Sequence, residues 1–227
     1  MIRQAFLLSV GFVFLLFPQT PMKAADSGEM DDRIHEAVKI LSKKQKSSKP
    51  IPAKILEQAR AVAIIEIGRG GFGVGGSHGE GVILSKTAKG WSAPAAYDQG
   101  GGSVGFQIGF EEKQYIFLFN STAALDEFIA NDEVKFDAKA SATAGPEHVN
   151  EDVSGPPPAI YVYTSSDGAF AGATIGGMGM SIQRDVNRAA YGRSVTTKEI
   201  FSGSVKPPES AKVLYELLNA KGRKPAQ

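Results

Sequence analysis

Residues 61–85 read AVAIIEIGRGGFGVGGSHGEGVILS, and this stretch decides the fold class. Its first five residues are small or branched apolar side chains, which favour a buried β-strand. Glycine then recurs eight times before the apolar character returns at residue 82. Because glycine accepts backbone conformations that other residues avoid, such a run is typical of turns between short strands. The stretch therefore predicts β-structure interrupted by tight turns.

The rest of the chain alternates between strand-like and helical spacing. Apolar runs and period-two alternation predict further strands at 91–97, 106–110, 115–119, 136–144, 160–164, 170–175 and 178–182. Helical spacing occurs at 34–46 and 52–59, at 121–130, and from Thr196 towards the end. Strict β-α-β alternation is absent, which argues against a doubly wound parallel sheet. We expect an α+β fold, in which a glycine-rich antiparallel β-sandwich or barrel-like sheet has short helices at both ends and one in the middle.

The beginning of the chain has the order of a secretory signal peptide. Arg3 precedes an apolar run from Ala5 to Phe17, and Ala24 offers a small side chain at the cleavage position. The run is shorter than the about 20 residues that a transmembrane helix needs. The predicted organisation is a signal peptide at 1–24, a flexible mature N-terminus at 25–30, one domain at 31–218 and a tail at 219–227. We therefore expect an exported protein, periplasmic or secreted, that associates peripherally with a membrane.

Composition excludes several classes of protein. The chain has no cysteine, so disulfides, thiolate metal sites and a lipoprotein anchor are excluded. The formal net charge is +1, which provides no overall field to attract nucleic acid. The three histidines, His35, His78 and His148, are far apart in the sequence and have no metal-ligand spacing. We expect no cofactor, no metal and no nucleic-acid partner.

Three glycine-rich segments match catalytic or cofactor-binding patterns by letter. Residues 68–73 fit G-x-G-x-x-G, and residues 75–79 and 101–105 fit the G-x-S-x-G of a nucleophile elbow. Both patterns require a helix to begin at once, and no helical period follows any of them. Glycines in β-turns explain these matches better, so we expect no enzymatic activity. A serine esterase using Ser77 or Ser103 stays the least favoured alternative.

The first predicted helix is amphipathic and carries a cluster of lysines. Its apolar stripe consists of Ile34, Ala37, Val38 and Leu41. The lysines of the segment are Lys39, Lys43, Lys44, Lys46 and Lys49. A basic face beside an apolar stripe can bind anionic headgroups, each basic residue contributing about 1 kcal/mol near the surface. The alternative, a solvated face of a helix packed on the sheet, is equally compatible with the pattern.

Many short segments, in order, resemble the SYLF domain family. They include Ala61–Ile65, Gly71–Gly73, Gly79–Ile83, Trp91–Ala95, Gly105–Gly109, Phe117–Asn120, Ala144–Pro146, Tyr161–Tyr163, Gly168–Gly172, Asp185–Arg188 and Tyr191. The resemblance covers about residues 31 to 218. It implies lipid binding, because eukaryotic members bind phosphoinositides through the domain and its amphipathic first helix. It also implies a protein partner, since some members bind and bundle actin. Other members of the family are exported bacterial envelope proteins.

Two functional hypotheses follow from the residues and the resemblance together. The first is a module that binds phospholipid at a membrane surface, with the stretch Ile34 to Lys46 as the contacting helix. Its predicted lipid-binding residues are Ile34, Val38, Lys39, Leu41, Lys43, Lys44 and Lys46. The second is a structural scaffold that binds another envelope protein or itself through its glycine-rich sheet, because small side chains permit close approach of backbones. The oligomeric state and the identity of the lipid stay open.

Overall fold

The computed structural model of the protein describes residues 26–136, 142–146, 158–165 and 178–219. The helices are α1 (Ser27–Lys46), α2 (Ala53–Gln58), α3 (Thr122–Asn131), α4 (Arg184–Tyr191), α5 (Thr197–Phe201) and α6 (Ala211–Asn219). The strands are β1 (Ala61–Thr87), β2 (Gly90–Trp91), β3 (Ala95–Phe119), β4 (Glu133–Phe136), β5 (Ala142–Ala144), β6 (Ile160–Thr164) and β7 (Met178–Ile182). The expected signal peptide at 1–24, the strand at 170–175 and most of the tail lie outside the described residues.

One antiparallel hairpin, formed by β1 and β3, dominates the sheet. The pairing runs from Ala61 opposite Phe119 to Ile83 opposite Ala95, with one irregularity between Phe72 and Val74. The prediction of short strands separated by glycine turns is therefore wrong in this region. Since ladder hydrogen bonds join backbone groups, glycines facing glycines across the hairpin can continue a strand.

The remaining strands pair along β3 at its two ends. Residues 115–119 pair with β6, which carries β5 in parallel on its other side, and residues 97–100 pair with β7, which carries β4. Among the described residues, the result is a seven-stranded, mainly antiparallel sheet that does not close into a barrel. Helices lie at both ends of the chain and in the middle, so the predicted α+β class is confirmed.

The hairpin bends so far that the two ends of β1 meet. The backbone N–H of Lys86 donates to the carbonyl oxygen of Arg60 at 2.7 Å. At Gly81, a Cβ atom would lie 2.3 Å from the carbonyl oxygen of Ile64. Only glycine permits this approach, so Gly81 is required by packing between the two halves of one strand.

Two apolar cores lie on opposite faces of the bent sheet. Alternate residues of β1 divide between them, because successive side chains of a strand point to opposite faces. Ala61, Ala63 and Ile65 join a core completed by α3 and α5, whereas Val62 and Ile64 join a core covered by α1, α2, α4 and α6. β3 contributes to both cores through residues 115–119, as expected for a central strand.

The helices begin where the sequence supplies capping groups. The carboxylate of Asp26 accepts hydrogen bonds from the backbone N–H groups of Gly28 and Glu29, so α1 begins within the stretch predicted to be flexible. The predicted capping box at Thr196 and Glu199 is formed at the start of α5. Among the described residues, none of the helices combines the length and apolar character that a membrane crossing requires.

Candidate functional site

The apolar stripe of α1 is part of the core. Met30, Ile34, Ala37, Ile40 and Leu41 are each at most 2% exposed, and Val38 packs partly buried beside them. The sequence offers Ile34, Val38 and Leu41 as lipid contacts, but the fold uses Ile34 and Leu41 to attach α1 to the sheet. Each such side chain gains roughly 1.5–3 kcal/mol by burial, so the stripe does not reach a bilayer while α1 stays packed.

Three lysines remain on the outward side of α1, and we call them the basic ridge: Lys39, Lys43 and Lys46. All three residues are exposed, and the side chain of Lys39 is 72% exposed. Lys39 Nζ donates to Glu36 Oε2 at 3.0 Å, and this hydrogen bond raises the pKa of Lys39. The ridge is therefore an exposed row of three basic side chains, one of which pairs with Glu36.

Lys44 differs from the ridge lysines although the sequence groups them together. It is 4% exposed, and its Nζ lies 5.8 Å from the centre of the Tyr163 ring. Position 44 falls on the helical face that also carries Ala37 and Ile40, so its side chain turns towards the sheet. Its contact with Tyr163 is a cation–π interaction that helps to attach the C-terminal half of α1.

A buried arginine attaches the N-terminal half of α1. The Arg33 guanidinium lies 2.6 Å from an Asp98 oxygen and 2.9 Å from Glu29, and it also donates to the Tyr97 carbonyl oxygen at 3.0 Å. Burial lowers the pKa of Arg33, but hydrogen bonding and charge from Asp98 outweigh it, so the net shift is upward. Burial raises the pKa of Asp98, and Arg33 offsets this only in part. The pair therefore fixes the position of α1 while leaving Asp98 poorly solvated.

A groove of about 730 Å³ runs between the N-terminal half of α1 and the glycine-rich part of the hairpin. Its floor includes the glycine backbone of β1. Six carboxylates line it: Glu29, Asp32, Glu36, Glu66, Glu80 and Glu112. We call this surface the acidic groove. Only Arg33 and His78 among its lining residues carry or can carry a positive charge, and Arg33 is already paired.

Sequence reasoning missed both the Arg33 cluster and the acidic groove. Arg33 and Asp98 are 65 positions apart, and the groove combines residues of α1 with residues of both hairpin strands. One signal was present: Arg33 falls on the same helical face as the apolar stripe, where a charged side chain needs a buried partner. The identity of that partner depends on the bend of the hairpin, which the sequence does not reveal.

One segment of the family resemblance is explained by close packing. The hydroxyl group of Tyr163 donates to the Pro146 carbonyl oxygen at 3.1 Å. A Cβ atom on Gly145 would lie 2.0 Å from a ring carbon of Tyr163. The Gly145–Pro146 and Tyr163 positions therefore form one packing unit and have no need of a ligand to account for them.

Other segments of the resemblance hold the C-terminal helices against the hairpin. The Asn187 side-chain oxygen accepts from the Ala96 backbone N–H at 2.8 Å, and the Tyr191 hydroxyl group donates to the Pro94 carbonyl oxygen. Tyr215 on α6 donates in the same way to the Ser92 carbonyl oxygen at 2.9 Å. These contacts are structural, so the surface residues of α1 remain the candidates for binding.

The two G-x-S-x-G matches do not form nucleophile elbows. Residues 75–79 lie within β1 and residues 101–105 lie within β3, and neither strand turns into a helix there. Ser77 and His78 are successive residues of one strand, so their side chains point to opposite faces. Within the described ranges, no group of three or more His, Asp or Glu side chains is arranged to hold a metal ion.

Comparison with known proteins gives the family. Residues 100–221 match the Ysc84 family, described as "Las17-binding protein actin regulator". The chain is 32% identical over 177 residues to LAS seventeen-binding protein 3 of Saccharomyces cerevisiae, covering 75% of this chain and 39% of the relative. It is 33% identical over 177 residues to Protein YSC84 of the same yeast, covering 75% and 38%. With SH3 domain-containing YSC84-like protein 1 of Xenopus laevis the identity is 30% over 185 residues, covering 79% and 55%.

The chain therefore belongs to the Ysc84 family, which confirms the SYLF resemblance. It spans about two fifths of the length of the yeast relatives and about half that of the frog protein. The relatives are named as binding proteins and regulators, and not as enzymes. Export and lipid contact are not addressed by these matches and stay predictions.

Proposed function

We propose that this chain is a non-enzymatic binding domain that docks on a protein partner through the basic ridge of α1. The observation that carries the proposal is the exposure of Lys39, Lys43 and Lys46 on a helix whose other face is consumed by the core. A rigid helix presents three charges in a fixed row, which suits an acidic surface on a folded partner. The relatives' names, which refer to Las17 binding and actin regulation, support a protein partner.

Co-sedimentation with actin filaments tests the proposal, with actin as the probe because the family description names it. The protein is expected to pellet with filaments at low salt and to be released as salt rises, because exposed charges are screened. The double variant Lys39→Glu/Lys43→Glu should lower the affinity at least about tenfold. The matched control Lys54→Glu/Lys89→Glu changes the net charge equally on exposed residues that are not part of α1 and should bind like the wild type.

Two results would overturn this proposal. One is equal loss of binding in the two charge-reversed variants, which would indicate a general charge effect. The other is a failure in two experiments together. The protein does not bind actin, and a pull-down from its own source yields no protein that the Lys54→Glu/Lys89→Glu control retains and the ridge variant loses. Either result would remove the ridge as a docking surface.

Anionic membrane is the second candidate partner, and the same ridge favours it. Lysines near an anionic surface contribute about 1 kcal/mol each, so the ridge alone supports weak, reversible association. Since Ile34 and Leu41 are buried, the association would be electrostatic and without insertion. Vesicles containing phosphatidylserine should bind the protein more strongly than phosphatidylcholine vesicles, and salt should abolish the difference. Equal binding to both kinds of vesicle would exclude this mechanism.

We also propose that the protein is exported, with residues 1–24 as its signal peptide. The order of a positive residue, an apolar run and a small residue supports this. In that case its partner would lie outside the cytoplasm, in the envelope or beyond it. Intact mass and N-terminal sequencing of protein isolated from its source test the proposal, which predicts a chain beginning at Ala25 or Asp26. A mature chain that retains residues 1–24 would contradict it.

A further inference from the structure

The outward side of α1 carries two blocks of opposite charge in one continuous row. The row recurs at spacings of three and four residues, so its members share one face of the helix. Its acidic members are Asp32, which is exposed, and Glu29 and Glu36, which are half-buried beside the groove, and its basic members are the ridge lysines Lys39, Lys43 and Lys46. Glu29 also pairs with Arg33. The two blocks meet at the ion pair between Glu36 and Lys39. Within each block, neighbours repel each other, because like charges three or four positions apart are unfavourable on a helix.

The acidic block continues into the acidic groove. Glu29, Asp32 and Glu36 form one wall of the groove, and carboxylates of the hairpin add to it. The groove therefore concentrates negative charge beside a glycine backbone that allows close approach. An occupant of opposite charge and of helical shape would be complementary to it.

This arrangement is self-complementary. A second copy of the helix, laid antiparallel against the first, brings each acidic residue opposite a lysine. The three pairs, each formed twice, are Glu29–Lys46, Asp32–Lys43 and Glu36–Lys39. Such mutual pairing, in which residue i contacts j and j contacts i, is the requirement for a twofold symmetric interface. A parallel pair in the same register, by contrast, places like charges together.

We propose that the acidic groove and basic ridge of one copy bind the basic ridge and acidic groove of a second copy, forming an antiparallel, twofold symmetric dimer. The apolar side chains of α1 take no part, because they are buried in the core. Exposed ion pairs are individually weak and association itself is costly, so the dimer forms at high protein concentration and dissociates in salt. The inference does not rest on the proposed partner, although a dimer would cover the ridge and compete with it.

Two charge-reversed variants test the dimer. In Lys39→Glu/Lys43→Glu the row is acidic from position 29 to position 43 and only Lys46 stays basic, and in Asp32→Lys/Glu36→Lys it is basic from position 32 to position 46 and only Glu29 stays acidic. When either variant meets itself, only the two outer Glu29–Lys46 pairs remain and the four inner pairs become like-charged, whereas the two variants are complementary to each other at all six positions. Sedimentation velocity at low salt should show that the wild type self-associates and that each variant alone is at least about tenfold weaker. The equimolar mixture should regain association, and salt should abolish it.

Recovery in the mixture also shows that both variants are folded. A wild-type protein that stays monomeric at every concentration and salt would overturn the proposal, as would a mixture that stays as weak as its components. Self-association of the variants equal to that of the wild type would overturn it as well. Binding to actin or vesicles is measured on each protein separately, and Asp32→Lys/Glu36→Lys keeps all three ridge lysines and should bind without its complementary variant. A failure of the dimer and a failure of the proposed function therefore give different results.

Discussion

The two sides of α1 differ: the inner side attaches the helix to the core, and the outer side is the one that we propose to meet a partner. Its inner side carries Ile34 and Leu41, which are fully buried, together with two charged residues that find partners in the sheet. Its outer side carries charged residues that contribute little to the fold, because exposed ion pairs are worth about 0–1 kcal/mol. The amphipathic pattern alone does not distinguish a helix that binds lipid from one that covers a core. Burial in the structure makes this distinction.

The largest effect on stability is expected from a substitution on the inner side of α1. Leu41→Ala should lower the free energy of unfolding by about 3 kcal/mol, because it leaves a cavity between α1 and the sheet. Urea denaturation followed by circular dichroism measures the change. Lys43→Ala, two residues further on the outer side, should change the stability by less than about 0.5 kcal/mol. Equal effects of the two substitutions would contradict the assignment of sides.

The next largest effect on stability is expected from the ion pair between Arg33 and Asp98. Arg33→Met should cost about 2 kcal/mol of stability, because it leaves Asp98 poorly solvated and without its cation. The double variant Arg33→Met/Asp98→Leu should recover most of the loss, since replacing both charges with apolar groups removes the desolvation cost. The same denaturation measurement applies. A double variant that is less stable than Arg33→Met would show that Asp98 has another role.

Removing the hydroxyl group of Tyr97 should not lower the stability of the protein, unlike the loss of a hydrogen-bonded buried tyrosine hydroxyl. Its hydroxyl group is buried and, among the described residues, has no hydrogen-bond partner, and burial raises its pKa well above the usual value. Tyr97→Phe should therefore leave the stability unchanged or raise it by about 1 kcal/mol, because an unsatisfied hydroxyl is removed without a change of shape. Thermal unfolding compares the two proteins. A clear loss of stability would indicate a partner for this hydroxyl group.

The smallest effect is a pH dependence at the capping box of α5, far from α1. Hydrogen bonds from Thr196, followed by one from Arg193, lower the pKa of Glu199. Because the pKa is lower in the folded state, Glu199 stabilises the protein above its unfolded pKa of 4.5 and loses this contribution as the pH falls through its folded value. Glu199→Gln should therefore be slightly less stable than the wild type at pH 7, and the difference should shrink in acid. A difference in stability that grows as the pH falls would contradict the lowered pKa of Glu199.

The sequence predicts local structure well where the signal is local. The apolar spacing predicts the first helix only from residue 34, whereas α1 begins at Ser27, but its apolar stripe, the capping box at Thr196 and the central strand at 115–119 all follow from spacing and caps. The length of β1 and β3 was missed, because glycine signals a turn unless another glycine-rich strand pairs with it. That pairing partner lies about 30 residues away and is not visible in a local window.

The candidate site also contains residues whose position the sequence predicts and residues whose position it does not. The ridge lysines Lys39, Lys43 and Lys46 are predictable from helical spacing, and they are exposed as expected for a binding face. The inward direction of Lys44 and the acidic groove are not predictable, because they depend on how the bent hairpin meets α1. Sequence pattern thus locates the basic face of α1, whereas the three-dimensional structure decides which of its side chains are exposed.

Thiol labelling tests most directly whether α1 stays packed while its ridge binds. The chain has no cysteine, so Ala37→Cys and Lys43→Cys each introduce one thiol, on the inner and outer sides of α1. Labelling of Ala37→Cys should be about a hundredfold slower than labelling of Lys43→Cys, since it requires local opening. Actin filaments or anionic vesicles should protect Lys43→Cys and leave the slow rate of Ala37→Cys unchanged. Faster labelling of Ala37→Cys on binding, with Lys43→Cys unprotected, would show that α1 leaves the sheet and would contradict the account.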